Sequence, residues 1–437
     1  MRAKAILAAT AAVSALAVAP SVRAQVIAGQ TAVGPNVGTQ FKHDRNISVR
    51  NRPRPGYETL GIHAGSFFIL PKVTATATYD DNIYAKAVNP KDTDLIGALI
   101  GEISAGSNWA RNSVNLYAKL ERDQYKGHPF ESRTSYVVGG NGELDVQSDY
   151  AITAGGRYTH SVELRTASGA PANVRTPVQF GLTTVNFAEA KAFNRLRLTG
   201  TYEMDAYNYS DTVDFAGTPV LQSYRNRVVH LGALRADYAV SPDTFVFVQA
   251  SGNLRDYEHR PPDPLATLDR NSDGYEVSVG ADFELAALLR GQVRAGYLKH
   301  QFANPALAGV SGLGARADIE WFPTDLTTVA FYGGREVRDT GLLFSPASIS
   351  TYAGAQVDHE LLRNLILTAK YDYSHDDFRG IFRVDQRHSA SAGAVYLLNR
   401  RLGINLLYTL LKQTSTGANA GAEYTVNRVS ASLVVQY

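Results

Sequence analysis

The chain has 437 residues, 37 of them Gly and 24 Tyr, no Cys, and 43 basic against 41 acidic residues for a formal charge of +2. The lack of cysteine excludes a disulfide framework, a thiolate metal site, a cysteine nucleophile and the acyl acceptor of a bacterial lipoprotein. The balanced, scattered charge offers no basic face for nucleic acid, and the length suits either several soluble domains or one large barrel.

Taken in chain order, the first element is an export signal. Arg2 and Lys4 form a positive start, Ala5 to Val18 is an unbroken small-apolar run, and Val22-Arg23-Ala24 resembles a small-residue cleavage site. Residues 1–24 are therefore expected to be a signal peptide cut before Gln25. Its apolar core falls short of the roughly 20 residues that a membrane-spanning helix needs. Residues 25–65 follow as an expected periplasmic N-terminal segment, rich in Arg and broken by Pro53 and Pro55. It reads as an extended lead-in or a small plug, too short for the globular plug of a TonB-dependent transporter.

From residue 66 to 437 the apolar pattern has period two. Leu196, Leu198, Gly200, Tyr202 and Met204 share one face; Arg197, Thr199, Thr201, Glu203 and Asp205 share the other. Tyr275, Val277, Val279, Ala281, Phe283 and Leu285 oppose Glu276, Ser278, Asp282 and Glu284, and Leu365, Leu367, Ala369, Tyr371 and Tyr373 oppose Thr368, Lys370 and Asp372. Successive side chains of a strand point to opposite faces, whereas a helix would scatter both sets. Many runs last about 12–16 residues, enough to cross a bilayer at a tilt, where about 9–11 suffice. Lipid leaves no partner for an open sheet edge, so such strands must close on themselves.

Short turns fall near Ala110-Arg111-Asn112, Gln147-Ser148-Asp149, Ala192-Phe193-Asn194, Ser241-Pro242-Asp243, Ala287-Leu288-Leu289-Arg290, Phe322-Pro323-Thr324-Asp325, Leu362-Arg363-Asn364 and Leu398-Asn399-Arg400. Longer polar stretches lie between them, at 83–93, 210–222, 258–273, 303–311 and 340–347. The alternation predicts an all-β, transmembrane, antiparallel up-and-down barrel of about 18 strands, 16 being the alternative, with both termini periplasmic. The last strand sets Val429, Ala431, Leu433, Val435 and Tyr437 on one face and ends on the aromatic. That arrangement resembles the C-terminal signal read by the barrel-assembly machinery of the outer membrane of Gram-negative bacteria.

If the apolar face meets lipid, the polar face lines the lumen. The expected lumen-lining residues are Lys119, Glu121, Arg197, Glu203, Asp205, Glu276, Asp282, Glu284, Arg294, Lys370 and Asp372. Opposite charges interspersed with Ser, Thr and Asn suit a hydrated interior for a polar solute, and equally suit pairing that stiffens the wall. No catalytic motif is present: no G-x-S-x-G, H-E-x-x-H or phosphate-binding loop. Asp269 to Gly274 opens like a calcium loop, but the twelfth position is Gly280 rather than Glu, so it reads as an Asp-Gly turn in a long loop. Asp80-Asp81-Asn82 and His375-Asp376-Asp377 read as acidic turn residues where strands leave the membrane. The expectation is a non-enzyme with no cofactor and no metal.

The segment from Val49 to Tyr84 carries a more specific signal. Arg52-Pro53-Arg54-Pro55, then Gly61, Gly65, Phe67 and Pro71, then Tyr79-Asp80-Asp81-Asn82, followed by Asp94, Trp109 and Arg111, resembles the putative β-barrel porin 2 family. The resemblance implies a large outer-membrane barrel associated with exopolysaccharide or capsule export, and no catalytic or binding residues come with it. The implied function is a conduit for a secreted polysaccharide, with periplasmic polysaccharide-export proteins as partners. A general or substrate-selective diffusion porin for small polar solutes is the alternative, and a plugged structural barrel a third. The absence of an obvious constriction loop in the sequence favours export over the diffusion porin.

Overall fold

The computed structural model describes residues 47–437 except 89, 172, 265–267 and 286–287. The expected signal peptide lies outside the described residues. Eighteen long strands, each of 13 to 18 residues, make the wall. They are β1 (Phe67–Asp80), β2 (Asp94–Ser107), β3 (Ser113–Tyr125), β4 (Arg133–Gln147), β5 (Tyr150–Val162) and β6 (Gln179–Phe193). Next come β7 (Leu196–Tyr209), β8 (Arg227–Ser241), β9 (Thr244–Tyr257), β10 (Ser272–Leu285), β11 (Leu289–Phe302) and β12 (Val310–Thr324). The wall is completed by β13 (Thr327–Leu342), β14 (Ser345–Leu362), β15 (Leu365–Phe378), β16 (Val384–Leu397), β17 (Leu402–Thr416) and β18 (Tyr424–Gln436).

Each strand pairs antiparallel with the next, and β18 returns to β1 from Lys72↔Gln436 to Asp80↔Arg428. The sheet is thus a closed barrel, which satisfies every wall strand with two neighbours. Eighteen strands spaced about 4.8 Å apart and tilted about 40° give a backbone diameter of roughly 36 Å. All eight expected short turns fall at one end, called here the turn end, while the longer connections gather at the loop end. Both β1 and β18 reach the turn end with their outer termini.

The alternation sorts side chains as lipid demands. Leu99, Leu120, Leu234, Val248, Val279, Leu406 and Val429 are exposed on the outer face. Exposed aromatics flank this apolar band: Tyr79, Tyr136, Tyr158 and Tyr275 toward the loop end, and Phe193, Tyr238, Trp321, Tyr396 and Tyr437 toward the turn end. Amphipathic rings are stable at the headgroup level, where one edge is apolar and the other wet. Val429, Ala431, Leu433, Val435 and Tyr437 all lie on this outer face of β18.

The ring closes through the acidic stretch at the end of β1. Asp80 receives Arg428 Nε at 2.6 Å, and Asp81 accepts both the backbone and side-chain N–H of Asn427 at 2.6 and 2.7 Å. Asn82 donates to the carbonyls of Lys86 and Thr425. These three residues staple the first strand to the last, so their chemistry is consumed in closing the wall. Asp269 likewise caps the N–H of Asn271 at 3.0 Å in a local turn.

One expected loop is not a loop. Residues 340–347 form the tip of the β13–β14 hairpin, paired through Asp339↔Ala347 and Leu342↔Ser345. The polar residues Asp339, Thr340 and Gly341 suggested solvent, but their partners are other loops and the inner wall.

Candidate functional site: the constricted lumen

Every expected lumen residue lies on the inner face of its strand, and the face is a ladder of close charge pairs. Lys119 meets Glu121 at 2.8 Å and Lys370 meets Asp372 at 3.0 Å, while Tyr332 Oη also donates to Asp372. Thr184 donates to Asp205 at 2.6 Å, and Arg235 lies 4.0 Å from Asp282. The set nevertheless divides by exposure. Lys119, Lys370 and Asp372 reach lumen water with about a quarter of their side-chain surface, at 29%, 21% and 28%. Asp205, Glu276, Asp282 and Glu284 are buried in side-chain packing along β7–β10 and do not line an open channel. Glu121, Arg197, Glu203 and Arg294 are intermediate.

Across the lumen from that packed arc runs a different surface. The inner faces of β16 to β1 present Ser389, Ser391, Asn405, Thr409, Ser430, Ser432, Thr74, Thr76 and Thr78. Thr76 bonds Ser432 at 2.9 Å and Thr78 bonds Ser430 at 2.8 Å across the closing seam. The charged side chains of this arc are tied up: Arg428 with Asp80, Lys72 with Glu102 of β2, Asp385 with Arg383, and Arg387 on Gln413. The result is a small-side-chain, hydroxyl-rich wall with apolar Leu407 and Leu411 between the polar positions.

Both ends of the lumen are narrowed from within. At the loop end, the β5–β6 connection (163–178) folds across the opening. Its Thr166 carbonyl accepts Arg387 of β16 at 3.0 Å and Tyr424 Oη of β18 at 2.8 Å, and Ser168 donates to Asp385 at 3.2 Å. Arg165 is tied to Glu131 at 2.5 Å, and Glu163 takes Arg225 of the β7–β8 connection through two bonds of 2.8 and 2.9 Å. This crossing loop is the constriction that was not obvious in the sequence. Its mixed composition, without a helical or strand period, hid it in the sequence, because what makes it a constriction is its set of distant partners.

The β13–β14 hairpin adds a second barrier. Asp339 lies 3.2 Å from both Arg227 of β8 and Arg255 of β9, strands on another part of the wall. Tyr224 Oη donates to the Gly341 carbonyl at 2.6 Å, and Arg270 donates to the carbonyls of Thr340 and Leu342 at 2.6 and 3.2 Å. Arg225, Arg227, Arg255 and Arg270 are all buried; the guanidinium of Arg225 lies over Tyr209, that of Arg227 over Tyr207 and Tyr257, and that of Arg270 over Tyr224 and Tyr257. None of these four arginines was expected to be functional from sequence. An Arg at a strand end is ordinarily a solvated rim residue, and only the three-dimensional arrangement supplies Asp339.

At the turn end the N-terminal segment occupies the mouth. Arg50 pairs with Asp358 at 2.7 Å, Arg54 with Glu360 at 2.9 Å, and the Val49 N–H donates to Thr328 at 2.9 Å. Arg400 holds the Pro55 carbonyl at 2.9 Å from the rim. Residues 62–64 then pair with the start of β1 around a turn in which Gly65 adopts φ +60°. Gly61, at φ +63°, lies under the Phe68 ring, where a Cβ would come within 2.3 Å. Only glycine combines that backbone conformation with that closeness.

The family model described as putative β-barrel porin 2 matches residues 54–437. The chain belongs to that family. The match takes in the Arg54–Pro55 clamp in the mouth, the turn glycines and the Asp80–Asn82 staple. Family membership and the closed barrel make this porin 2 chain an outer-membrane β-barrel of porin-like channel type. No curated protein matches the chain. Among solved structures, the siderophore receptor PirA from Pseudomonas aeruginosa is similar at 7% identity and TM-score 0.43, covering 84% of this chain and 80% of that one. The outer membrane protein opdK from Pseudomonas aeruginosa has 10% identity, TM-score 0.42 and coverage of 84% and 99%. OccAB2 from Acinetobacter baumannii has 12% identity, TM-score 0.43 and coverage of 86% and 99%.

Proposed function

We propose that this barrel conducts a carbohydrate-class solute across the outer membrane, a polysaccharide on its way out of the cell being the first reading. The observation that carries it is the hydroxyl-rich arc of β16 to β1, running from Ser389 and Ser391 to Thr74, Thr76 and Thr78. Neutral hydroxyls and amides exchange hydrogen bonds with a sugar's own hydroxyls without holding it at any one position, as passage requires. In this reading the turn end faces the periplasm, where export partners would hand over the polymer, and the barrel carries out no reaction. The family resemblance points the same way.

A second reading, selective diffusion of small polar solutes, is favoured by the crossing loop 163–178, which narrows the opening. Two measurements on one deletion strain separate them. Loss of surface polymer with unchanged uptake of small sugars supports export. Normal polymer with slowed growth on a limiting small solute supports the diffusion porin and overturns the first reading.

A further inference from the structure

The β13–β14 hairpin stays bonded to β15 as far as Ser348↔Phe378 but parts from β12 on its other side. β12 and β13 pair only from Ala315↔Arg335 toward the turn end. Beyond that point β12 continues to Val310, still paired with β11 through His300↔Val310. β13 leaves it there and passes inside the barrel. Val337 and Ala347, both fully buried, and Ile349 pack with the inner-face Leu298 of β11 and with Val310, while Phe302 lies against the group. By strand parity, however, Val337, Ala347 and Ile349 belong to the outer face, in line with the exposed outer residue Phe331.

Extending the register by five residues gives a coherent second arrangement. Leu313, now 62% exposed at the fork, would stand opposite Val337 on the lipid face. Gly314 and Gly312 would stand opposite Glu336 and Arg338 on the inner face, where absent side chains leave room for two long ones. Ser311 would meet Asp339, and Val310 would meet Thr340, at the rim. Lipid tails are as apolar as Leu298 and Phe302, so Val337, Ala347 and Ile349 themselves change surroundings at little cost, the cost of the move falling on Leu298, Val310 and Phe302, which it uncovers to the lumen. Besides this apolar contact, the hairpin is held inward by polar ones: Asp339 to Arg227 and Arg255, and the tip carbonyls to Tyr224 and Arg270.

We propose that this hairpin is a gate that alternates between the tucked position seen here and a position zipped onto β12, the second widening the loop end of the lumen. The structural part is independent of what the channel carries; the conductance part rests on the channel reading above. The chain has no cysteine of its own, so engineered pairs report without background. Leu313→Cys/Val337→Cys should form an intramolecular disulfide under mild oxidant in the full-length protein reconstituted in bilayers. Leu313→Cys/Phe331→Cys, two outer-face positions fixed in the wall, should not. Oxidised Leu313→Cys/Val337→Cys should conduct severalfold better than its reduced form, and reductant should reverse the rise. Adding Asp339→Asn should speed formation of that disulfide severalfold.

A register pair that cross-links no faster than the fixed pair overturns the proposal. So does a cross-link that forms and leaves conductance unchanged in a channel that conducts. If the register pair cross-links and no variant conducts in either state, the moving hairpin stands and the channel reading fails, so a gel and a current trace tell the two apart.

Discussion

Replacing Asp80 by Ala tests whether the end of β1 is the closure of the ring. Asp80 is 1% exposed, receives Arg428 Nε at 2.6 Å and also accepts the Asn82 N–H at 2.8 Å. Breaking a buried ion pair by removing one partner costs about 3–5 kcal/mol. Here Arg428 keeps 19% of its side chain exposed, so water relieves part of the loss and about 3 kcal/mol is expected. Asp377→Ala is the matched control: its 3.0 Å pair with Arg379 is 39% and 37% exposed and should cost at most about 0.5 kcal/mol. Urea unfolding of the refolded barrel, read from the mobility difference between folded and unfolded forms on unheated gels, measures both. The double variant Asp80→Ala/Arg428→Leu should lose less than the sum of the singles. If Asp80→Ala unfolds within about 1 kcal/mol of the parent, or no earlier than Asp377→Ala, closure does not depend on this pair.

Three further outcomes are expected. Shortening the crossing loop by removing residues 166–171 frees Arg387 and Tyr424 from Thr166 while leaving the Arg165–Glu131 pair in place, and single-channel conductance should rise severalfold. Arg50→Ala/Arg54→Ala removes the partners of Asp358 and Glu360, and the N-terminal segment should become cleavable by added protease in the intact barrel while the parent resists. Burial raises the Tyr224 phenol above its ordinary value near 10, Arg225 and Arg270 opposing the shift. The folded chain therefore holds this proton more tightly than the unfolded one, so its contribution is full below that ordinary value and declines as pH rises through the raised one. Thiolate formation speeds every cysteine pair alike, so the comparison is a ratio: the cross-link rate of Leu313→Cys/Val337→Cys relative to the same pair carrying Tyr224→Phe, already without the donor to Gly341, should climb as pH rises above about 10.

What the sequence disclosed and what it withheld divide along a physical line. Strand faces, turn positions and the strand number follow from a two-residue period and short-range turn chemistry. Leu196 to Met204 and Val429 to Tyr437 could accordingly be assigned to the outer face from their alternation. Inner-face parity was equally visible for Glu276, Asp282 and Glu284. Their burial was not, since it depends on Arg235, Phe247 and other neighbours contributed by adjacent strands. The two barriers were invisible for the same reason. Thr166 acquires meaning only beside Arg387 and Tyr424, and Asp339 only beside Arg227 and Arg255, pairs separated by 84 to 258 residues. The β13–β14 tip reads as a loop because Asp339 and Gly341 are poor strand formers locally, and their compensation comes from Arg227, Arg255 and Tyr224.

The staple between the two ends of the barrel imposes an order on assembly. Asp80, Asp81 and Asn82 are made early and find Thr425, Asn427 and Arg428 only after almost all the intervening chain has been delivered. Throughout that interval the free side of β1 is an unsatisfied strand edge, able to join any other exposed edge it meets. Whether the ring closes on itself or joins a neighbour is therefore decided by what covers that edge until β18 arrives.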